Sequence, residues 1–239
     1  MNTCSRICLL ALSLVLLPAL ARADKPNWAK KSVGFAGTCS GDCRTQRIVA
    51  PDKRTTVEVL YQNGIVYLRV TAPDQPAREI HDVVASPHND LLWAPDSKAF
   101  LINASEGMSS PSFVQVYLLD DMLLRPVDVT HQAERDLVKT YPPCKAIDLD
   151  PMRCRKIVVN PEYNITAFDW VEDSSALVVK VQVPCTTEYG GILCQMMGYV
   201  VEVPSGDILK RMTPAEFKKE WQKSMEQRLQ IPEPPQYQQ

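Results

Sequence analysis

The chain has 239 residues, a formal charge of −2, 45% hydrophobic and 23% charged residues. That length gives one large domain or two small ones, with enough chain to bury a sizeable core. The slightly acidic balance and the lack of any basic run exclude an electrostatic footprint for nucleic acid, so no nucleic-acid partner is expected.

The chain opens MNTCSRICLLALSLVLLPALARA. Arg6 is a positive flank and Ile7 to Leu20 an apolar stretch. Ala21-Arg22-Ala23 then puts small residues at the two positions a signal peptidase inspects. The pattern predicts a signal peptide over 1–23, cleaved before Asp24, and a periplasmic or secreted destination. The apolar stretch is shorter than the ~20 residues a spanning helix needs, and the polar DKPNWAKK follows at once. No later segment is apolar enough to span a membrane, so no transmembrane segment is expected in the mature chain. Cleavage removes Arg6 and Arg22 and no acids, taking the charge from −2 to −4.

Cys4 and Cys8 leave with the signal, and Cys39, Cys43, Cys144, Cys154, Cys185 and Cys194 remain. An even number in an exported chain points to disulfides, although several connectivities are open. The six fall into three close pairs, in CSGDC, CKAIDLDPMRC and CTTEYGGILC. Each reads as a loop pinned at its neck: Cys39–Cys43, Cys144–Cys154 and Cys185–Cys194. Zinc would want paired CxxC or Cys/His spacing, and a redox pair would want CxxC. Neither spacing occurs, so no metal and no cofactor are expected.

The next elements repeat. IVAPDKRTTVEVL begins at Ile48, LLWAPDSKAFLI at Leu91 and FDWVEDSSALVV at Phe168. In each, a short strand enters a turn and a second strand leaves it, and Pro-Asp suits such a turn. GIVYLRV, SFVQVYLL and GYVVEV follow as strand-like runs. Each leads through a polar turn to another apolar stretch: REIHDVV, LRPVDVT and DILKRMT. The unit is four strands over about 40 residues, the period and strand count of a propeller blade. The copies cover about 47–85, 89–130 and 167–213, with an insertion at 131–166. KIVVN inside that insertion is the candidate strand of a hidden further repeat.

WAPDSKAFLI resembles the W-S-P-D-G core of the repeats in TolB-like and related WD-repeat propellers. The resemblance implies an all-β, propeller-like array of antiparallel four-stranded repeats over 24–213, employed in protein–protein contact. Three departures stand out. The first copy has Val49 in place of the tryptophan. The third has Glu172 in place of the proline. Serine replaces the turn glycine in the second and third copies. Closed propellers also typically have at least about four blades, and three copies are visible.

Two helices are predicted. In HQAERDLVKTY, Ala133, Leu137 and Tyr141 recur at four-residue spacing. TPAEFKKEWQKSMEQRL gives an amphipathic helix over 214–230. There Thr213 is the cap, Pro214 takes the first position and Glu216 reaches back. Phe217, Trp221, Met225 and Leu229 form its apolar stripe. The tail 231–239 contains three prolines and reads as extended.

His81 is placed on a strand, His88 in a loop and His131 at a helix start. None has metal-site spacing, and no G-x-S-x-G elbow or phosphate-cradling glycine loop appears. Asp120-Asp121 and Asp148/Asp150 read as solvated turn acids. Asn103-Ala-Ser105 and Asn164-Ile-Thr166 fit the glycosylation acceptor. The expected function is an exported, non-catalytic binding or scaffold protein with a protein partner. Its candidate surface is the exposed turn ends together with the CTTEYGGILC loop. Two other readings stay open. One is a hydrolase whose site is assembled across the repeats. The other is an accessory subunit, or homo-oligomer, whose open sheet edges are completed by another chain.

Overall fold

The structure is a computed structural model that describes residues 32–39, 45–84, 86–105, 112–140, 163–183 and 194–229. The predicted signal peptide, Cys43, Cys144, Cys154, Cys185, Asp148, Asp150, KIVVN and the tail lie outside the described residues. So do Tyr141 and the side chains of Met225 and Leu229.

Strand β1 (Val33–Phe35) comes first and joins a sheet formed much later in the chain. Strands β2 (Gln46–Val49), β3 (Thr56–Gln62), β4 (Ile65–Thr71) and β5 (Arg78–Ile80) then pair in sequence order as sheet 1. Alternation decides which side chains go in. Val57, Val59, Val66, Leu68 and Val70 are buried, while Glu58 and Arg69 on the same strands point the other way. Asn63-Gly64 turns β3 into β4 with both residues at positive φ, 55° and 78°. That is the requirement of a tight type I′ hairpin.

Strands β6 (His88–Trp93), β7 (Ala99–Ser105) and β8 (Ser112–Leu118) form sheet 2, in the order β1-β6-β7-β8. Here the structure departs from the repeat as read. LRPVDVT supplies no fourth strand, only a bridge from Val127 to Val116. Pro126 lacks an N–H and cannot extend a ladder. The fourth strand is instead β1, on the opposite edge. His88, placed in a loop from the sequence, is the first residue of β6.

Helix α1 (His131–Thr140) follows, and then sheet 3, in which β9 (Asn164–Val171), β10 (Ala176–Gln182), β11 (Met196–Glu202) and β12 (Ile208–Met212) again pair in sequence order. Helix α2 (Pro214–Leu229) ends the described chain. The described residues therefore form three open, antiparallel four-stranded sheets with two helices.

The sheets stack through two apolar layers. Between sheets 1 and 2 lie Ile48, Val59 and Leu68 against Leu91, Phe100 and Tyr117. Between sheets 2 and 3 lie Leu92, Leu101 and Val116 against Trp170, Leu177 and Tyr199, with Ala133 and Leu137 of α1 wedged in. Sheet 2 is covered on both faces, which is why LLW and AFLI read as continuous apolar runs rather than as alternation. A bulge in the β9–β10 ladder at Phe168 lets Ala167 and Trp170 both face sheet 2 while Phe168 points outward.

The two outer faces are closed differently. Sheet 3 is covered by α2, whose Phe217 and Trp221 pack on Phe168, Val178 and Met212. Thr213 and Glu216 form the expected capping box. Glu216 Oε2 accepts from Thr213 N at 2.8 Å, and Glu216 N donates to Thr213 Oγ1 at 3.3 Å. Sheet 1 instead ends in charge. Arg47, Glu58, Arg69 and Glu79 stand opposite one another across the four strands. Arg69 donates to Glu79 at 2.9 Å. A polar outer face of this kind is how a stacked array terminates.

Candidate functional site

Antiparallel pairing gathers the connections at two ends. One end collects turns 50–55, 72–77, 94–98, 119–126, 172–175 and 203–207. The opposite end holds the Asn63-Gly64 hairpin, Cys39, whose N–H donates to Gly64 O at 2.9 Å, and Cys194 ahead of β11. Cys39 and Cys194 are each disulfide-bonded. Cys194, the one described residue of the CTTEYGGILC segment, thus lies at the end of the sheets opposite the repeat turns. The chain reverses between β9 and β11, and β10 separates the two.

The first two repeat turns are built alike, the third is a 3-10 turn in which Asp173 also takes positive φ, and the three are joined. In the first, Asp52 Oδ1 accepts from Arg54 N at 2.8 Å and from Thr55 N at 2.9 Å, while Thr55 Oγ1 donates to Oδ2 at 2.6 Å. Burial works to raise the Asp52 carboxyl, but these bonds outweigh it and hold it below the ordinary range. In the second, Asp96 Oδ1 accepts from Lys98 N at 3.0 Å. The next residue in each turn, Lys53, Ser97 and Ser174, has positive φ: 61°, 64° and 78°. This is the position where the repeat pattern has glycine. Serine carries conformational strain there, but its hydroxyl reaches the preceding repeat. Ser97 Oγ accepts from Asp52 N at 2.9 Å, and Ser174 Oγ accepts from Asp96 N at 3.2 Å. The serine departure is therefore a directional link from turn to turn, and Lys53 stands at the start of the array.

The same end carries an apolar tip. Leu119 N donates to Lys98 O at 2.9 Å, fixing the loop after β8 to the second turn. Arg78 of β5 donates to Asp121 O at 2.8 Å and Leu119 O at 2.9 Å. Asp121 Oδ1 accepts from Leu123 N at 2.9 Å. Leu124 takes φ 44° and buries its side chain between sheets 1 and 2. The result is a clamped turn that leaves Met122 86% and Leu123 63% exposed. Sequence reasoning noticed only Asp120-Asp121 here. The signal it passed over was Met-Leu-Leu directly after paired turn acids. Asp120 is an exposed turn residue, as read.

The other candidates are scattered. His81 lies just beyond β5, stacked on Tyr67 at 5.4 Å, with Nε2 3.3 Å from Glu79 Oε2. His88 is exposed at the start of β6. Ser86 Oγ accepts from the His88 backbone N–H and donates to its carbonyl, leaving the imidazole outside that contact. His131 starts α1, its backbone N–H donating to Asp128 Oδ1 at 3.2 Å. The three imidazoles stand on different elements, and none of them bonds a serine among the described residues. No described group of three His, Cys, Asp or Glu side chains is placed to hold a metal. No described helix is long and apolar enough to cross a membrane.

Asn103 departs most from its sequence reading. It is 1% exposed in β7, where Oδ1 accepts from Ala167 N at 2.8 Å and Nδ2 donates to Ala167 O at 3.2 Å. It joins sheet 2 to sheet 3 and is out of reach of a glycosyltransferase in the folded chain. Asn164, the other acceptor, is half-buried at the start of β9.

A shallow cleft of about 270 Å³ runs between α1 and β12. Arg211 of β12 grips Asp136 of α1, with Nε 2.8 Å from Oδ2 and Nη2 2.6 Å from Oδ1. One turn earlier, Gln132 donates to Asp207 at 2.7 Å. No protein-family model, no curated protein and no solved structure matches the chain.

Proposed function

We propose that this chain is an exported, non-catalytic binding module that engages a protein partner through the turn end of its repeats. The observation that carries the reading is the Met122–Leu123 tip. A strained, hydrogen-bonded turn that holds two large apolar side chains in water is disfavoured for the isolated chain. It lowers the entropy cost of docking them in a partner's pocket. Such anchors supply most of the binding energy in protein interfaces. The resemblance to TolB-like repeats, the export pattern over 1–23 and the cysteine pairs Cys39–Cys43, Cys144–Cys154 and Cys185–Cys194 support an extracytoplasmic address. The charged outer face of sheet 1 and the α2 cover on sheet 3 favour a stack that ends at its two outer faces.

The test is a cross-linking capture from the periplasm or culture medium with the mature chain and with Met122→Ser/Leu123→Ser. Both side chains are exposed, so the variant should melt at the wild-type temperature. The reading expects a specific partner recovered by wild type and lost by the variant. Identical captures, or none above background for wild type, would refute it.

A further inference from the structure

We propose that the cleft between α1 and β12 is a second contact site, shaped for an extended acidic segment of a partner protein. This rests on the reading of the chain as a binding module and adds the chemistry of what it binds. Gln132 pairs with Asp207 at one end of the cleft and Asp136 with Arg211 at the other, so its two walls are tied at both ends. Ile208 lies on its floor.

The charges in the channel are unevenly spent. Asp136 and Asp207 are the acids beside it, and each already holds a partner from the opposite wall. Arg135 and Lys139 line the cleft, are exposed, and make no hydrogen bond or ion pair among the described residues. Arg211 is balanced by Asp136, and Arg135 and Lys139 outweigh Asp207, leaving a net positive strip on a chain whose formal charge is −2. That segregation favours an anionic occupant and steers its approach.

Spacing points to an extended chain. Arg135 and Lys139 are one helical turn apart, about 6 Å along the axis. Alternate side chains on one face of an extended strand repeat at about 6.6 Å. Acids at positions i and i+2 of such a segment would meet the two cations in register, with an apolar side chain between them over Ile208. The cleft, about 270 Å³, is shallow and open along one side, so it suits a segment laid along it better than a ligand enclosed by it. A bulge at Leu209 distorts β12, the edge strand of sheet 3, which disfavours strand addition along it and leaves recognition to side chains.

The probe is a fluorescein-labelled peptide with glutamate at alternate positions, Gly-Glu-Val-Glu-Val-Glu-Gly, titrated by anisotropy with the oxidised mature chain. Its controls are the glutamine version, a version with the acids at every third position, and inorganic polyphosphate. Binding should be at least about tenfold tighter for the alternating acid peptide than for the peptide controls at about 50 mM salt, and should weaken as salt rises. Arg135→Glu/Lys139→Glu should remove that preference at an unchanged melting temperature. Equal binding by the charge-reversed variant, by the respaced peptide or by polyphosphate overturns the proposal. If the charge-reversed variant still captures a partner that Met122→Ser/Leu123→Ser loses, and the peptide does not bind wild type, the binding function stands and this site falls alone.

Discussion

Gly198 of β11 and Phe217 of α2 make a close contact between helix and sheet, and their coupling is open to measurement. A Cβ built on Gly198 would lie 2.7 Å from Phe217 Cγ and 3.0 Å from its Cβ, and would meet Cδ2 closer still. Phe217 is fully buried and meets Phe168 edge-on, with ring centroids 5.3 Å apart. Gly198→Ala must therefore push the ring off its seat, an overpacking cost of about 1–3 kcal/mol. Phe217→Ala empties the site, at about 3–5 kcal/mol. In the double variant the offending ring is gone, and the added methyl enters the vacated space. Its instability should nearly equal that of Phe217→Ala alone. The coupling then recovers most of the Gly198→Ala cost, within the roughly 0.5–3 kcal/mol seen for contacting residues. Urea titrations of the four proteins under oxidising conditions give the cycle. Costs that simply add would mean that α2 does not sit on Gly198 as described.

Asn103→Ala strands both the N–H and the carbonyl of Ala167 in the core, so it should cost about 2–3 kcal/mol by urea titration. Asn103→Asp keeps the acceptor but loses the donor and should also destabilise. Thr213→Ala removes the α2 cap and should cost about 1 kcal/mol, lowering the melting temperature by about 2–4 °C. Glu134 sits in the first turn of α1. Burial pushes its carboxyl above the ordinary range, with Asp128 adding to the rise and the Thr130 hydroxyl at 2.8 Å opposing it. The folded chain thus holds this proton more tightly than the unfolded chain. Its contribution falls as pH climbs from the ordinary carboxylate value through the raised one. Glu134→Gln should lack that loss, so the stability difference between variant and wild type should grow in the variant's favour across that window. A difference independent of pH would refute the assignment. Ser174→Ala should speed amide exchange at Asp96 while leaving exchange at Asp52 unchanged, because Asp52 donates to Ser97.

Much of the local structure was written in nearby residues. Turn chemistry at Pro51-Asp52 and Pro95-Asp96, alternation in VEVL and GIVYLRV, and the Thr213/Glu216 box each act over a few positions. These fixed the first and third repeats, three strands of the second and the start of α2. Ala133 and Leu137 likewise placed α1. Contacts between distant segments were not legible in that way. The pairing of β1 with β6 joins residues more than fifty positions apart, and Pro126 explains only why its own segment failed to compete. Asn103 looked like an exposed acceptor because nothing near it announces that Ala167 lies across the sheet interface. The tip at Met122–Leu123 needed Arg78, from another sheet, to clamp it. The α1–β12 cleft exists only because Gln132 and Asp136 meet Asp207 and Arg211, 75 residues further along the chain. Periodicity, capping and turn preference depend on neighbours in the chain, so the sequence alone determined the hairpins and the helix starts. Their stacking order, closed ends and binding surfaces depend on which faces meet in space, and only the tertiary structure decided those.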